Sequence, residues 1–219
     1  MSNETTAVQT GAAHKRVAQI LSSGEGVWQE SPLVALASDI ASRHSDSSSA
    51  FHLRERPFVD LVTVRGSVFD GRFVETLSLN VGCKPHATPN KVSRGPKFDV
   101  LWLGPDEWMV MGQEASDGKL ARELQQAFAG QFVSVVDVSS GYTVLELSGR
   151  SVREVLSRGC PLDVDASVFR VGDCAQSHYF KASIILNRTG EDSFELIIRR
   201  SFADYFCRML IDASDSVVS

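Results

Sequence analysis

Asp137-Val-Ser-Ser-Gly-Tyr-Thr-Val-Leu-Glu-Leu-Ser-Gly-Arg-Ser-Val-Arg-Glu-Val-Leu-Ser-Arg-Gly-Cys-Pro-Leu-Asp163 is the stretch that decides the fold class of this chain. Tyr142 to Leu147 reads as a strand, Ser148-Gly149 as a tight turn, and Val152, Val155 and Leu156 as the apolar stripe of a helix. Arg158-Gly159 before Pro161 is its stop signal. Upstream, Phe132 to Val138 is a second strand, rich in valine. Downstream, strands are expected around Ser183 to Leu186 and Phe194 to Ile198, turning at Asn187-Arg-Thr-Gly190. Phe194, Leu196 and Ile198 alternate with Glu195 and Arg199, which reads as a half-exposed strand. Ser201 with Asp204 opens a last helix, its buried stripe Phe202, Phe206, Met209 and Leu210. The order strand, helix, strand, strand, helix points to α+β sandwich layers rather than a doubly wound sheet.

Towards the N-terminus, Asp117 is expected to cap a helix carrying Leu120, Leu124 and Phe128 and stopped by Gly130. Val100 to Leu103 and Glu107 to Met111 form a strand pair around Gly104-Pro105-Asp106, where proline pre-sets the bend. Gly82 to Pro96 reads as a loop. Phe58 to Arg65 and Phe73 to Val81 read as two strands, the second with Phe73, Leu77 and Leu79 on one face. Ser31-Pro32 opens a helix with Leu33, Leu36, Ala37 and Ile40 on its apolar side, packed on its own domain or docking another subunit. Residues 1–27 are expected to be a mobile tail, 28–213 one domain and 214–219 a C-terminal tail. No internal repeat stands out.

A chain of 219 residues with 43% hydrophobic and 22% charged residues can bury a proper core. A net charge of −5 speaks against nucleic acid or an anionic membrane as the main partner. No basic segment followed by an apolar run suggests a secretory signal, and no apolar run approaches the length of a membrane span. Cys83, Cys160, Cys174 and Cys207 are scattered, so a reducing, cytoplasmic compartment is expected, with Cys160 and Cys207, set among apolar neighbours, as buried thiols.

Candidate chemistry is thin. Gly112 to Leu120 misses a phosphate loop by one residue, and Leu120 stands where magnesium would need a hydroxyl. Cys83-Lys-Pro-His86 puts a thiol near an imidazole but lacks further ligands or an orienting acid. Ser139-Ser140-Gly141 lacks the flanking glycine of a nucleophile elbow. Asp137, on an expected core strand, needs partners, and the hydroxyls of Ser139 and Tyr142 are at hand. Trp102, Trp108 and Met109-Val-Met111 form an apolar cluster suited to core, cleft or subunit contact. Arg199-Arg200 beside Ser201 would suit an anion at the last helix's start.

Seven segments in order carry a family resemblance from about Ser31 to Ala213: Ser31-Pro-Leu33, Leu53-Arg-Glu-Arg-Pro-Phe58, Leu103-Gly-Pro-Asp-Glu-Trp108, Asp137-Val-Ser139, Gly159-Cys-Pro-Leu-Asp163, Gly172-Asp-Cys-Ala-Gln176, and Phe194-Glu-Leu to Arg200-Ser-Phe202. The chain resembles the gamma subunit of heterotetrameric sarcosine oxidase, related to the folate-binding aminomethyltransferase fold. The resemblance implies a single such domain, with ferredoxin-like antiparallel sheets packed with helices. It implies a non-catalytic structural subunit of a cytoplasmic complex that demethylates sarcosine to glycine with oxygen and tetrahydrofolate, giving hydrogen peroxide. Its partners would be alpha, beta and delta subunits, with FAD, FMN, NAD, zinc and tetrahydrofolate on those chains and none on this one. Folate-binding relatives follow the Asp-x-Ser segment with His, where this chain has Ser140. They also carry paired glycines leading to paired aspartates, which Asn187 to Asp192 lacks. No catalytic, cofactor or metal residue is therefore expected here. The competing expectation is a free-standing folate-dependent transferase with a buried carboxylate near Asp137 or Asp192. A third keeps the subunit role in a complex of the N-methylglutamate dehydrogenase type.

Overall fold

A computed structural model describes residues 18–20, 28–45 and 49–218. Strands β1 (Ala18–Ile20) and β2 (Trp28–Glu30) pair antiparallel. A 3-10 turn at Val34–Leu36 leads into α1 (Ala37–Ser45), and β3 (His52–Arg56) follows. Next come β4 (Leu61–Arg65), α2 (Gly71–Val81), β5 (Val92–Arg94), β6 (Phe98–Gly104), β7 (Glu107–Gly112), α3 (Lys119–Ala127) and β8 (Ser134–Asp137). The remainder is β9 (Tyr142–Ser148), α4 (Val152–Ser157), β10 (Cys174–Tyr179), β11 (Ala182–Gly190), β12 (Ser193–Arg199) and α5 (Ala203–Val218).

Ten of these strands form two antiparallel sheets, ordered β5-β6-β7-β4-β8 and β10-β11-β12-β9-β3. Period-two alternation splits each sheet's side chains between two cores. Val62, Val64, Val100, Trp108 and Val110 pack under α2 and α3 with Phe73, Leu77, Leu124 and Phe128. Leu145, Leu147, Ile184, Leu186, Leu196 and Ile198 pack under α1, α4 and α5. The opposite faces meet each other: Val59, Leu61, Val92, Leu101, Met109 and Met111 from one sheet against Val144, Cys174, Ile185 and Ile197 from the other. The layers are helix, sheet, sheet, helix, which is the α+β architecture expected.

Both sheets have one topology. In the first, β4 is central, β7 and β8 flank it, and β6 lies beyond β7. With the intervening helices this is the ferredoxin-like βαββαβ order, extended at one edge by β5. In the second, β9, β11 and β12 occupy the equivalent places and β10 extends the edge. The place beside β9 that a strand following α5 would take is filled by β3, from the N-terminal side. The second half is thus a circular permutation of the first, closed by a strand that precedes it.

Several expectations change. Residues 73–81 are helix, not strand: Asp70 caps α2 by accepting from the Arg72 amide, and Gly82 ends it at φ 78. Phe73, Leu77 and Val81, four apart, are buried, while Leu79 is 78% exposed. The loop at 82–96 contains β5, and the unanticipated strands β3 and β10 complete the second sheet. The turn after β11 falls at Glu191-Asp192, and Asn187 and Arg188 lie buried within the strand. Strand β12 is covered on both faces, with Ile197 facing the other sheet and Glu195 8% exposed. The expected cap of α3 is not Asp117: Ser116 Oγ accepts from the Leu120 amide, and Asp117 takes φ 53. Ser201 makes no capping hydrogen bond, because a 3-10 turn at Arg200–Phe202 precedes α5, and Phe202 is exposed. Helix α5 runs to Val218, past the expected boundary at 213, with Ser214 buried. The expected tail at 1–27 lies outside the described residues apart from β1, Ala18 to Ile20.

The stretch from Asp137 to Asp163 folds as read, with one addition: a 3-10 turn at Ser139–Gly141 before β9. Gly149 is required at φ 109, since a Cβ there would lie 2.4 Å from the Ala50 carbonyl oxygen. Ser31 Oγ caps the first turn by accepting from the Leu33 amide at 2.9 Å, and Leu33, Leu36 and Ile40 join the core of their own domain.

Candidate functional site

Where the chain crosses from the second sheet to the first, and again where it returns, the two halves leave a cleft of about 360 Å³. One wall is the β3–β4 crossover (Pro57, Phe58, Asp60), and another the β7–α3 loop with the first turn of α3 (Ala115, Asp117, Gly118, Arg122). The β8–β9 connection supplies Asp137, Ser139, Ser140, Tyr142 and Thr143, and Ser31, Pro32 and Arg200 close the far side.

Beneath the cleft Glu55 is held by hydroxyls. Ser31 Oγ donates to both of its carboxylate oxygens at 2.7 and 2.6 Å, and Thr143 Oγ1 donates at 2.7 Å. Burial pushes the Glu55 carboxyl above its ordinary range, against those hydrogen bonds and the nearby Arg200 charge. Asp60 lies deeper. It is 3% exposed, and its Oδ2 has no hydrogen-bond partner among the described residues.

Asp137 lines the cleft but is exposed, because β8 is an edge strand and not the core strand expected. Its Oδ1 accepts from Ser139 Oγ at 2.6 Å and from the Ser139 amide at 3.0 Å. That is the local hydrogen bonding anticipated, with Ser139 as partner; Tyr142 is occupied by Arg199, whose guanidinium stacks 5.4 Å from its ring. Arg200 donates to the Glu30 carbonyl. Asp192 is remote from the cleft and pairs with Arg153 at 2.9 Å.

Cys83 and His86 are not brought together as a site. The thiol points at the Ser93 and Phe98 carbonyls, and the His86 side chain is exposed. Burial raises the Cys83 thiol to about 11, Cys174 to about 11 and Cys207 to about 12, so these three stay protonated at neutral pH. All four cysteines are free, with Cys160, Cys174 and Cys207 buried. Among the described residues no three His, Cys, Asp or Glu side chains gather as a metal site would require. No helix among them is long and apolar enough to cross a membrane. Trp108 and the methionines belong to the core: Trp108 packs 5.4 Å from Phe73 and donates Nε1–H to the His86 carbonyl. Sequence reasoning passed over Asp60 and Glu55. The signal for Asp60 was present, a lone carboxylate in the apolar run Val59-Asp60-Leu61-Val62.

The two face-to-face ferredoxin-like sheets are an aminomethyltransferase-like fold. The chain superposes on glycine cleavage system aminomethyltransferase T from Bartonella henselae with a TM-score of 0.57 at 15% identity, covering 81% of this chain and 53% of that one. Within this class, residues 65–216 match the model of the sarcosine oxidase, gamma subunit family, and the chain belongs to that family. It is 33% identical to sarcosine oxidase subunit gamma of an Arthrobacter species over 87% of this chain and 92% of the relative. It is 32% identical to that of Corynebacterium sp. (strain P-1), with the same coverage. A chain of heterotetrameric sarcosine oxidase from Corynebacterium sp. U-96, solved with pyrrole 2-carboxylate, superposes with a TM-score of 0.79 at 28% identity over 87% of this chain and 97% of that chain.

Proposed function

We propose that this chain is the gamma-type subunit of a heterotetrameric, cytoplasmic sarcosine oxidase, and that it forms no bond-making site of its own. The observation that carries this is the continuous likeness, through both halves, to 97% of a chain from such a complex. Its partners are the alpha, beta and delta subunits, and FAD, FMN, NAD, zinc and tetrahydrofolate reside on them. The chemistry of its own side chains supports a structural role. Its most perturbed thiols are held protonated by burial, and Asp137 is tied up by its neighbour Ser139. Phe69 and Phe132, 95% and 106% exposed beside the ends of α2 and α3, are apolar surface of the kind a subunit contact removes from water.

Co-expression of the other three subunits with and without this chain tests the reading. Expected is loss of assembly, and of sarcosine turnover with it, when this chain is left out. Normal assembly and turnover in its absence would overturn it.

A further inference from the structure

Three aspartates and two arginines line the cleft, and among the described residues none of the five makes an ion pair within 4 Å. Asp117, Asp137, Arg122 and Arg200 are exposed enough for water to solvate them. Asp60 is not. A carboxylate oxygen buried without a partner is costly, and such a group is completed by a water, an ion or a ligand. Two of the cleft's residues also hold strained backbone, Phe58 at φ 61 and Asp117 at φ 53. Neither is a glycine, and such strain concentrates at ligand clamps.

The charges select the ligand. A plain cation would satisfy Asp60 but meet Arg122 and Arg200. A plain anion would meet three carboxylates. A molecule carrying both charges uses both sets. Among the described residues each guanidinium makes one hydrogen bond, Arg122 to the Asp117 carbonyl and Arg200 to the Glu30 carbonyl, so each keeps donors for a carboxylate.

We propose that this cleft binds a small zwitterion of the amino-acid class, its ammonium group on Asp60 and its carboxylate on Arg122 and Arg200. Binding involves no covalent step and is independent of the structural role above: a subunit that only holds its partners together can still carry a ligand site.

The test is calorimetric titration of the purified full-length chain with glycine and with 4-aminobutyrate as zwitterions of different span, and with methylamine and acetate as half-ligands. Expected is saturable binding of at least one zwitterion, with both half-ligands about tenfold weaker or worse. Asp60→Asn and Arg200→Gln should each weaken that binding by about tenfold while leaving the thermal transition near the native one. Arg200 is exposed, so its variant keeps the test alive if Asp60→Asn fails to fold. In the assembled complex, equilibrium dialysis with labelled zwitterion should show a site lost in the Asp60→Asn form. The proposal falls if neither zwitterion saturates the chain at millimolar concentration, as a cleft filled only by water would give. It also falls if methylamine binds as well as the zwitterion, or if both variants bind like the native chain.

Discussion

The two halves of this molecule share a strand order and differ in how that order is completed. The half built on β4 draws all its elements from one continuous segment, residues 61–137. The half built on β9 is completed by β3, which precedes the first half in the chain. The borrowed strand costs independence and brings cohesion. Residues 52–56 must be in place before the second sheet has its fifth strand, so the second half cannot be cut out as one continuous piece. The cleft exists for the same reason. It sits where the chain leaves β3 for β4 and where it returns from β8 to β9, so its walls come from both halves.

Cohesion also has an energetic side. Ten buried apolar residues fill the seam between the sheets, each worth roughly 1.5–3 kcal/mol relative to exposure for a full-sized side chain. Exposed ion pairs such as Arg54–Glu146 contribute about 0–1 kcal/mol each. The apolar seam therefore joins the halves, and the polar contacts set their register. Arg56 is the clearest of these. It leaves β3, pairs with Glu195 at 2.5 Å, and reaches across to the carbonyls of Gly112 and Gln113 in the other half. At another corner Arg94 pairs with Asp99 and donates to Asn187 Oδ1 and the Arg188 carbonyl, and Lys91 pairs with Asp173.

The largest effect is expected from emptying each half's helix-side core in turn. Trp108→Ala and Phe206→Ala remove side chains that are fully buried in opposite halves, and each should destabilise the chain by about 3–5 kcal/mol. If the seam makes one cooperative unit, each variant still melts in a single transition, and hydrogen exchange accelerates in both sheets. Two separate transitions, or exchange confined to the mutated half, would mean that the halves are independent domains.

A smaller effect is expected from Arg56→Ala. It strands the buried Glu195 carboxylate, already pushed above its ordinary range by burial, and cuts the bridge between the halves. The expected loss is about 3 kcal/mol in chemical denaturation. A loss within the error of a surface substitution would show that the seam alone fixes the register.

Smallest is the pH effect at Glu55, beside the crossover. Its folded-state carboxyl is raised above the ordinary value of 4.5, so the folded chain holds that proton more tightly than the unfolded chain. Its contribution is therefore most favourable below 4.5 and declines as pH climbs through the raised folded value, after which it is flat. Glu55→Gln should remove that slope and gain relative to the native chain from acidic to neutral pH, read as melting temperature. An unchanged difference between the two proteins across that range would refute the assignment.

The seven ordered segments, with Leu103-Gly-Pro-Asp-Glu-Trp108 and Gly159-Cys-Pro-Leu-Asp163 foremost, were enough for the sequence alone to reach the family, and the alternation of Val, Leu and Ile was enough for the α+β class. It also determined the helix and turn after β9, because Gly149 and the spacing of Val152, Val155 and Leu156 are local signals. It could not separate helix from strand at 73–81, where Phe73 and Leu77 satisfy both periods and only the burial of Val81 and exposure of Leu79 decide. Nor could it reveal the repeated topology, since strand order is a long-range property and one half is permuted. The cleft was beyond it for the same reason. Asp60, Asp137 and Arg200 are neighbours of one cavity only because β3 and β4 belong to different sheets, and that partition is made by which apolar faces bury each other, not by any residue's nearest neighbours in the chain.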